Sequence, residues 1–331
     1  MFPLLNDLRS QAASVRSFIL KATLLLILFF ILDHVLGRVF VGGLDRYYGL
    51  NEPAAVLCVG HSHTVLGIDK VELERQLGVP VAKFAVEGAN TADRAMMIRY
   101  YFSRHPKSVR AVVYDVDAHT FTGTGLSSSS YQLLFPFIDD PEIRAYVKQN
   151  CASSAEYWLR RLFCLPRYNE LTLSLAVRGY LHRWTSFKFG KVDVNRLAKE
   201  IHEGRFLRIE FDQENCKEFD RTTAFVSSQG SSLFLAYLPT IDVFNAAEPE
   251  KFGVAMEIFK SYAATNSSIT FLDYNKEFQS QHDLFRDPIH LNRDGQRKVT
   301  ARLAEDLKRF LQKQNAVERS LMESTTSRGA L

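Results

Sequence analysis

Three residues far apart in this chain could together make a reactive hydroxyl. Ser62 lies in Gly60-His61-Ser62-His63, directly after an apolar run, and Asp287 and His290 lie in Phe285-Arg286-Asp287-Pro288-Ile289-His290-Leu291-Asn292. A serine hydroxyl is a poor nucleophile until a base takes its proton. A histidine serves as that base when a carboxylate fixes its tautomer and stabilises the imidazolium. Asp287 and His290 share one tight turn, so both could face a single hydroxyl, and the pattern is that of a Ser62-His290-Asp287 catalytic triad. The backbone N–H groups of Ser62 and Gly88, with Asn90, are the candidate donors to a developing oxyanion. His61, His63, Asp117 and His119 are expected to border the same site as substrate contacts.

Those same imidazoles and carboxylates suggest a second chemistry. His61, His63, Asp117, His119 and His290 are residue types that hold zinc or another divalent metal. The H-E-x-x-H signature is missing, and none of Cys58, Cys151, Cys164 and Cys216 forms a C-x-x-C pair. The serine pattern is therefore the leading one, and neither a metal nor any other cofactor is expected.

Positioning these groups needs a scaffold, and the hydrophobic pattern supplies one. Short apolar runs at 54–59, 80–86, 109–116, 232–239 and 268–274 read as buried strands. Helical patterns alternate with them. Asp69 followed by Glu72 and Asn90 followed by Asp93 read as helix starts. Further helices are expected near 249–263 and 295–311. Such alternation predicts an α/β protein: a mostly parallel five-stranded sheet between two layers of helices. In an open parallel sheet, chemistry collects at the carboxyl ends of the strands, where Ser62, Gly88, Asn90, Asp117 and His119 all fall. Residues 118–230 break the rhythm and read as a mostly helical insertion.

These blocks resemble the SGNH/GDSL hydrolase superfamily. Gly60-His61-Ser62-His63 matches its nucleophile block, Gly88 its second-block glycine, and Asp287-Pro288-Ile289-His290 its closing D-x-x-H block. The resemblance covers 54–117 and 232–312. It implies a three-layer, flavodoxin-like fold and a serine esterase mechanism. Two positions depart from the family pattern: His61 replaces the Asp before the serine, and Asp117 stands near the third-block Asn. The G-x-S-x-G elbow of α/β-hydrolases is not met, because Thr64 occupies its second glycine position.

Residues 18–36, FILKATLLLILFFILDHVL, form an apolar stretch close to the length a bilayer requires. No A-x-A cleavage pattern follows, so an uncleaved anchor is expected rather than a signal peptide. The domain scheme is a cytoplasmic leader at 1–17, a transmembrane anchor at 18–36, the α/β/α domain at 37–313 and a disordered tail at 314–331. The cell inner membrane is the expected location, with the domain outside the cytoplasm. An anchor joined to a G-x-S-H block is similar to membrane-anchored proteins of cell-envelope ester modification, such as alginate acetylation and teichoic-acid D-alanylation. The resemblance implies a membrane-bound O-acyltransferase partner and a glycan or envelope-polymer substrate. It also leaves open a non-catalytic scaffold or glycan-binding role.

The net charge of +4 over 331 residues, without a dense Lys/Arg block, argues against a nucleic-acid partner. Basic residues do gather within the insertion. Arg160, Arg161, Arg167, Arg178, Arg183, Lys188 and Lys191 interleave with aromatics such as Tyr157, Trp158, Phe163, Tyr168 and Trp184. This stretch is expected either to form an ordinary amphipathic subdomain or to guide an anionic glycan, a membrane or a partner towards Ser62. For Cys151 and Cys164, a disulfide and two free thiols are both compatible with the sequence.

Overall fold

The computed structural model describes residues 2–122 and 129–328, with side chains for 14–122, 129–317 and 319–320. Five strands form one parallel sheet: β1 Val56–Gly60, β2 Val81–Ala85, β3 Ala111–Val116, β4 Ser232–Tyr237 and β5 Ile269–Asp273, in the order β2-β1-β3-β4-β5. The helices are α1 Phe2–Tyr48, α2 Ser62–Gly67, α3 Lys70–Leu77, α4 Thr91–Arg104, α5 Pro141–Asn150, α6 Ser154–Leu162 and α7 Glu170–Tyr180. They continue with α8 Val194–His202, α9 Gln213–Ser228, α10 Asp242–Asn245, α11 Pro249–Thr265, α12 Asn275–Phe278 and α13 Arg293–Arg328.

The near-continuous apolar strands are explained by burial on both faces. Leu57 and Val59 of β1 face a core shared with α4, α9 and α11, while Val56 and Cys58 face a second core with α3 and α13. Alternation of side chains along a strand divides them in this way. The result is the expected three-layer α/β/α architecture. The strand order reverses direction between β1 and β3, and a crevice opens at such a switch point.

Three boundaries differ from the sequence reading. Helix α13 continues through Arg328 rather than ending near Leu311, so 314–328 is helical and not a disordered tail. The reason is local, since no Gly or Pro interrupts 314–328 and Gly329 follows. Helix α1 likewise runs past 36 to Tyr48. Its first part, 14–32, is exposed nearly all round, whereas Asp33, Gly37, Leu44, Tyr47 and Tyr48 are buried in the domain. Finally, α9 closes the insertion and packs Phe219 and Val226 into the sheet core, so it is the crossover helix between β3 and β4.

Among the described residues, one helix, spanning Ser14–Tyr48, is long and apolar enough to cross a membrane. All four cysteines are free thiols, which removes the Cys151–Cys164 disulfide alternative.

Candidate active site

Ser62 does not sit in a loop. Strand β1 ends at Gly60, His61 caps the chain by accepting the His63 backbone N–H on its ring Nδ1 at 3.2 Å, and Ser62 opens the short helix α2. Gly60 is required by close packing: a Cβ there would lie 2.0 Å from Thr64 Oγ1 and 2.6 Å from Asp115 Cβ. Helix α2 is clamped at its other end. Lys83, buried in β2, donates through Nζ to the carbonyls of Val65 at 3.2 Å and Ile68 at 2.7 Å, and Gln296 of α13 donates to Leu66 O at 2.7 Å. Burial lowers the Lys83 pKa to about 8.

The partner loop is built with equal care. Phe285 and Leu291 form an antiparallel bridge, and Asp287 Oδ1 accepts the backbone N–H groups of Ile289 at 3.1 Å and His290 at 2.9 Å. This Asx-type turn aims the His290 ring back over its own aspartate. Asp287 Oδ2 lies 2.9 Å from His290 Nδ1, and His290 Nε2 lies 2.8 Å from Ser62 Oγ. The carboxylate holds the Nδ1 proton, which leaves Nε2 free to accept from the serine. Burial would raise Asp287, but the His290 hydrogen bond and charge outweigh it and hold the carboxyl below its ordinary range. The three residues are thus brought together from both ends of the chain.

Behind the serine lies a second, buried histidine–aspartate pair. His61 Nδ1 is 3.4 Å from Ser62 Oγ, and His61 Nε2 is 2.8 Å from Asp117 Oδ2. Because Nδ1 accepts an amide, the His61 proton sits on Nε2 and points at Asp117. Burial favours neutral Asp117, yet the His61 hydrogen bond and the surrounding imidazoles hold its carboxyl well below the usual range. Asp115, two residues earlier on the same strand face, has its pKa raised to about 6 by burial, and its Oδ2 accepts from Thr64 Oγ1 at 3.1 Å. His63 packs edge-on to the His290 ring at 5.7 Å, and neither of its ring nitrogens finds a hydrogen-bond partner. Burial and then His61 push the His63 pKa well down, so a neutral ring neighbours His290.

This arrangement corrects the expectation of substrate contacts. His61, His63, Asp117 and His119 are all buried, at 3–7% exposure. His61, held by Asp117, lies behind Ser62, and His63 packs against His290. His119 Nε2 lies 3.2 Å from Leu207 O and its ring stacks on Phe244, away from a shared centre with His61. Asp115 and Thr64 were not singled out from the sequence. The signal was there: Asp115 and Asp117 alternate at the end of β3, which puts both on one face of the strand.

The metal reading fits poorly. His61, His63 and Asp115 each offer a donor atom within 4.8 Å of the others. Both His61 nitrogens are already engaged, one by the His63 amide and one by Asp117. Two free donors fall short of the three or four protein ligands zinc takes.

Of the candidate oxyanion donors, Ser62 begins α2, so its backbone N–H has no carbonyl one turn earlier to donate to. Gly88 adopts φ +78° in the turn after β2, a conformation that favours glycine. Asn90 serves as the cap of α4: its side chain accepts from the Asp93 backbone at 2.9 Å, and Asp93 returns the bond to the Asn90 backbone N–H at 3.0 Å. Only its amide nitrogen could donate elsewhere. A cleft of about 350 Å³ opens beside α2, lined by Tyr48, Val65, Leu66, Val86, Leu175 and Phe187 among others.

Four of the seven basic groups of the insertion that were expected to meet an anionic ligand are occupied. Arg160 pairs with Glu156, Arg161 with Asp139, Arg167 is buried against Asp139 and Arg160 O, and Arg178 donates to the carbonyls of Arg183 and Thr185.

No protein-family model and no curated protein matches the chain. Solved structures do. The crystal structure of a candidate acylhydrolase from Bacteroides fragilis is 12% identical over 77% of this chain and 86% of that one, with a TM-score of 0.39. A candidate platelet activating factor from Streptococcus pneumonia is 10% identical over 87% of this chain and 98% of that one, with a TM-score of 0.41. At these identities and scores the likeness carries no argument about activity. The chemistry has to come from the side chains.

Proposed function

We propose that this chain is a membrane-anchored serine esterase or O-acyltransferase of SGNH type, acting on acyl esters of an envelope glycan or polymer outside the cytoplasm. The observation that carries the reading is the unbroken relay from Ser62 Oγ to His290 Nε2 at 2.8 Å and from His290 Nδ1 to Asp287 Oδ2 at 2.9 Å. These distances fall in the range required of a nucleophile and its base.

The Ser62 oxygen attacks the ester carbonyl carbon while its proton passes to His290 Nε2. The C–O bond to the alcohol then breaks, and His290 returns the proton to that leaving oxygen. An acyl-serine remains. Water or an acceptor hydroxyl, deprotonated by His290, releases the acyl group and regenerates Ser62. Asp287 stays ionised and stabilises the imidazolium in both halves. Neutral His63 beside His290 adds no repulsion as that cation forms. The backbone N–H groups of Ser62 and Gly88 would receive the oxyanion. The cleft beside α2, mostly apolar but also lined by Glu87, Arg178 and Lys188, suits a substrate with an acyl or other nonpolar part beside polar groups.

The helix at 18–36 supports a single-pass anchor, and a membrane-bound O-acyltransferase is the partner this architecture would serve. The test uses the full chain in detergent micelles with a simple acetyl ester and, separately, an acetylated glycan with and without an acceptor sugar. Turnover is expected with wild type and lost in Ser62→Ala. Acyl transfer to the sugar in preference to water would identify a transferase. Undiminished turnover in Ser62→Ala would overturn the mechanism and leave a scaffold role.

A further inference from the structure

Helix α1 does not stand apart from the domain. At the end of its apolar run, Asp33 is buried and accepts two backbone N–H groups from the insertion, those of Cys164 and Leu165, at 2.6 and 2.9 Å. A carboxylate at that depth is costly unless paired, and these amides, which open the turn Leu165–Arg167, satisfy it. Next to this knot, Gly37 meets Cys164 so closely that a Cβ would lie 2.3 Å from the cysteine Cβ. Tyr168 donates to Gly37 O at 2.8 Å. The α6–α7 corner is therefore fixed against α1 where the exposed apolar segment ends.

The corner also reaches below that level. Phe163, at the end of α6, has its ring 6.4 Å from Phe29 and 6.2 Å from Phe30. Those two lie one helical turn inside the apolar run. On α6 itself, Trp158, Leu159 and Leu162 are more than half exposed and share one face, while Tyr157 is buried and Arg160 pairs with Glu156 on the protein side. An apolar face with a tryptophan, joined through Phe163 to a spanning helix and followed by Cys164 beside exposed Arg38, has the composition of an interfacial element.

We propose that α6 is a second membrane contact: its Trp158-Leu159-Leu162 face lies in the interfacial layer of the bilayer beside α1, with Asp33 as the bolt that sets its depth. The proposal rests on α1 spanning the membrane over roughly 14–32. It gives the domain two points of attachment. The domain would then stand in one orientation, with the end of α1 at Gly49 set against Val81 and Ala82 at the start of β2, the end of the sheet opposite Ser62. From Asp33 to Tyr48 the helix rises about 22 Å at about 1.5 Å per residue.

Fluorescence quenching tests this directly, since the chain has two tryptophans, Trp158 and Trp184. The full chain is reconstituted into vesicles of mixed zwitterionic and anionic phospholipids brominated on the acyl chains near the headgroup. Trp184→Phe leaves Trp158 as the reporter. Trp158→Phe leaves Trp184, which packs near Lys70 at the far end of α1. A third variant, Trp158→Phe/Trp184→Phe/Phe30→Trp, reports on the anchor. Trp158 is expected to lose at least half as much emission as the Phe30→Trp reporter, and Trp184 almost none. If Trp158 is quenched no more than Trp184 while the Phe30→Trp reporter is quenched, α6 stays in water and the proposal fails with the anchor intact. If the Phe30→Trp reporter is also unquenched, the anchor reading and the proposal fall together.

Discussion

Two histidine–aspartate pairs flank one serine, and they differ in where the fold puts them. His290 and Asp287 sit on a turn, with side chains 19% and 34% exposed, while His61 and Asp117 sit at strand ends with 3% and 4% exposed. The front ring presents Nε2 to Ser62 at 2.8 Å; the back ring presents Nδ1 at 3.4 Å and spends it partly on the His63 amide. A base must gain and lose a proton in every cycle, and it must do so facing substrate and water. The front pair can do this. The back pair is enclosed, its nitrogen already accepts a hydrogen bond, and it holds the start of α2. On the proposed mechanism, identical residue types divide into chemistry and support through burial and through the hydrogen bonds that occupy the back ring.

The largest effect should separate the rings. His290→Ala is expected to lower ester turnover by at least about 10³-fold, with the fold intact, because a triad member has gone. His61→Ala should do the reverse, costing about 3 kcal/mol of stability by leaving Asp117 buried without its partner, with a smaller loss of rate. Rate measurements beside urea titrations would show it. Equal rate losses without destabilisation of His61→Ala would break the division.

The aspartates should divide in the same manner. Asp287→Asn is expected to reduce kcat by about 10²- to 10⁴-fold, because an amide no longer fixes the His290 tautomer. Asp117→Asn should lose less rate and more stability. Steady-state kinetics of both at one pH would decide.

A pH series sharpens the description of the back pair. Asp115 has a folded pKa of about 6 against an ordinary value of 3.8. The native state therefore holds the proton more tightly, and its stabilising contribution is full below 3.8 and is lost as pH rises through 6. The loss is on the order of 3 kcal/mol for a shift of this size. Asp115→Asn should remove this contribution in denaturant titrations from pH 4 to 7, leaving the opposite slope of His63, whose lowered pKa makes stability rise with pH through the ordinary histidine range. Asp117 and Asp287 are shifted down, so their contribution is present above the ordinary carboxylate range and lost as pH falls below it. Their effect lies outside that window. A variant that keeps the wild-type slope would show that Asp115 is not its source.

The smallest effect concerns the clamp on α2. Lys83→Met is expected to cost about 1–3 kcal/mol by orphaning the Val65 and Ile68 carbonyls. Hydrogen exchange should quicken in 62–68 before the rest of β1. Uniform exchange across the domain would mean that Lys83 supports the sheet and not the serine helix.

Much of this could be read from residue order. Strand runs bounded by helix caps gave the sheet, and Asp69 and Asn90 cap α3 and α4 as their spacing suggested. Ser62, Asp287 and His290 stood out because each followed a strand or preceded a helix. The supporting pair did not. Whether His61, Asp117 and His119 face substrate or the interior depends on the packing of α2 against β3, which is a tertiary fact with no local signature. Asp115 passed as one polar residue in an apolar strand. The docking of α1 was also hidden, because Gly37 and Gly43 reveal their role only once Cys164, Ala176 and Tyr180 are placed beside them. Apolar periodicity fades near Leu311, but helix propensity does not, and α13 continues to Arg328.

The most direct measurement is covalent labelling of the full chain with a fluorophosphonate, followed by mapping of the modified peptide. Attack by an activated serine expels fluoride and leaves a stable phosphonyl-serine. One adduct is expected, on the peptide containing Ser62, absent in Ser62→Ala and greatly slowed in His290→Ala. An unlabelled protein, or labelling that persists unchanged in Ser62→Ala, would contradict the assignment of Ser62 as the nucleophile.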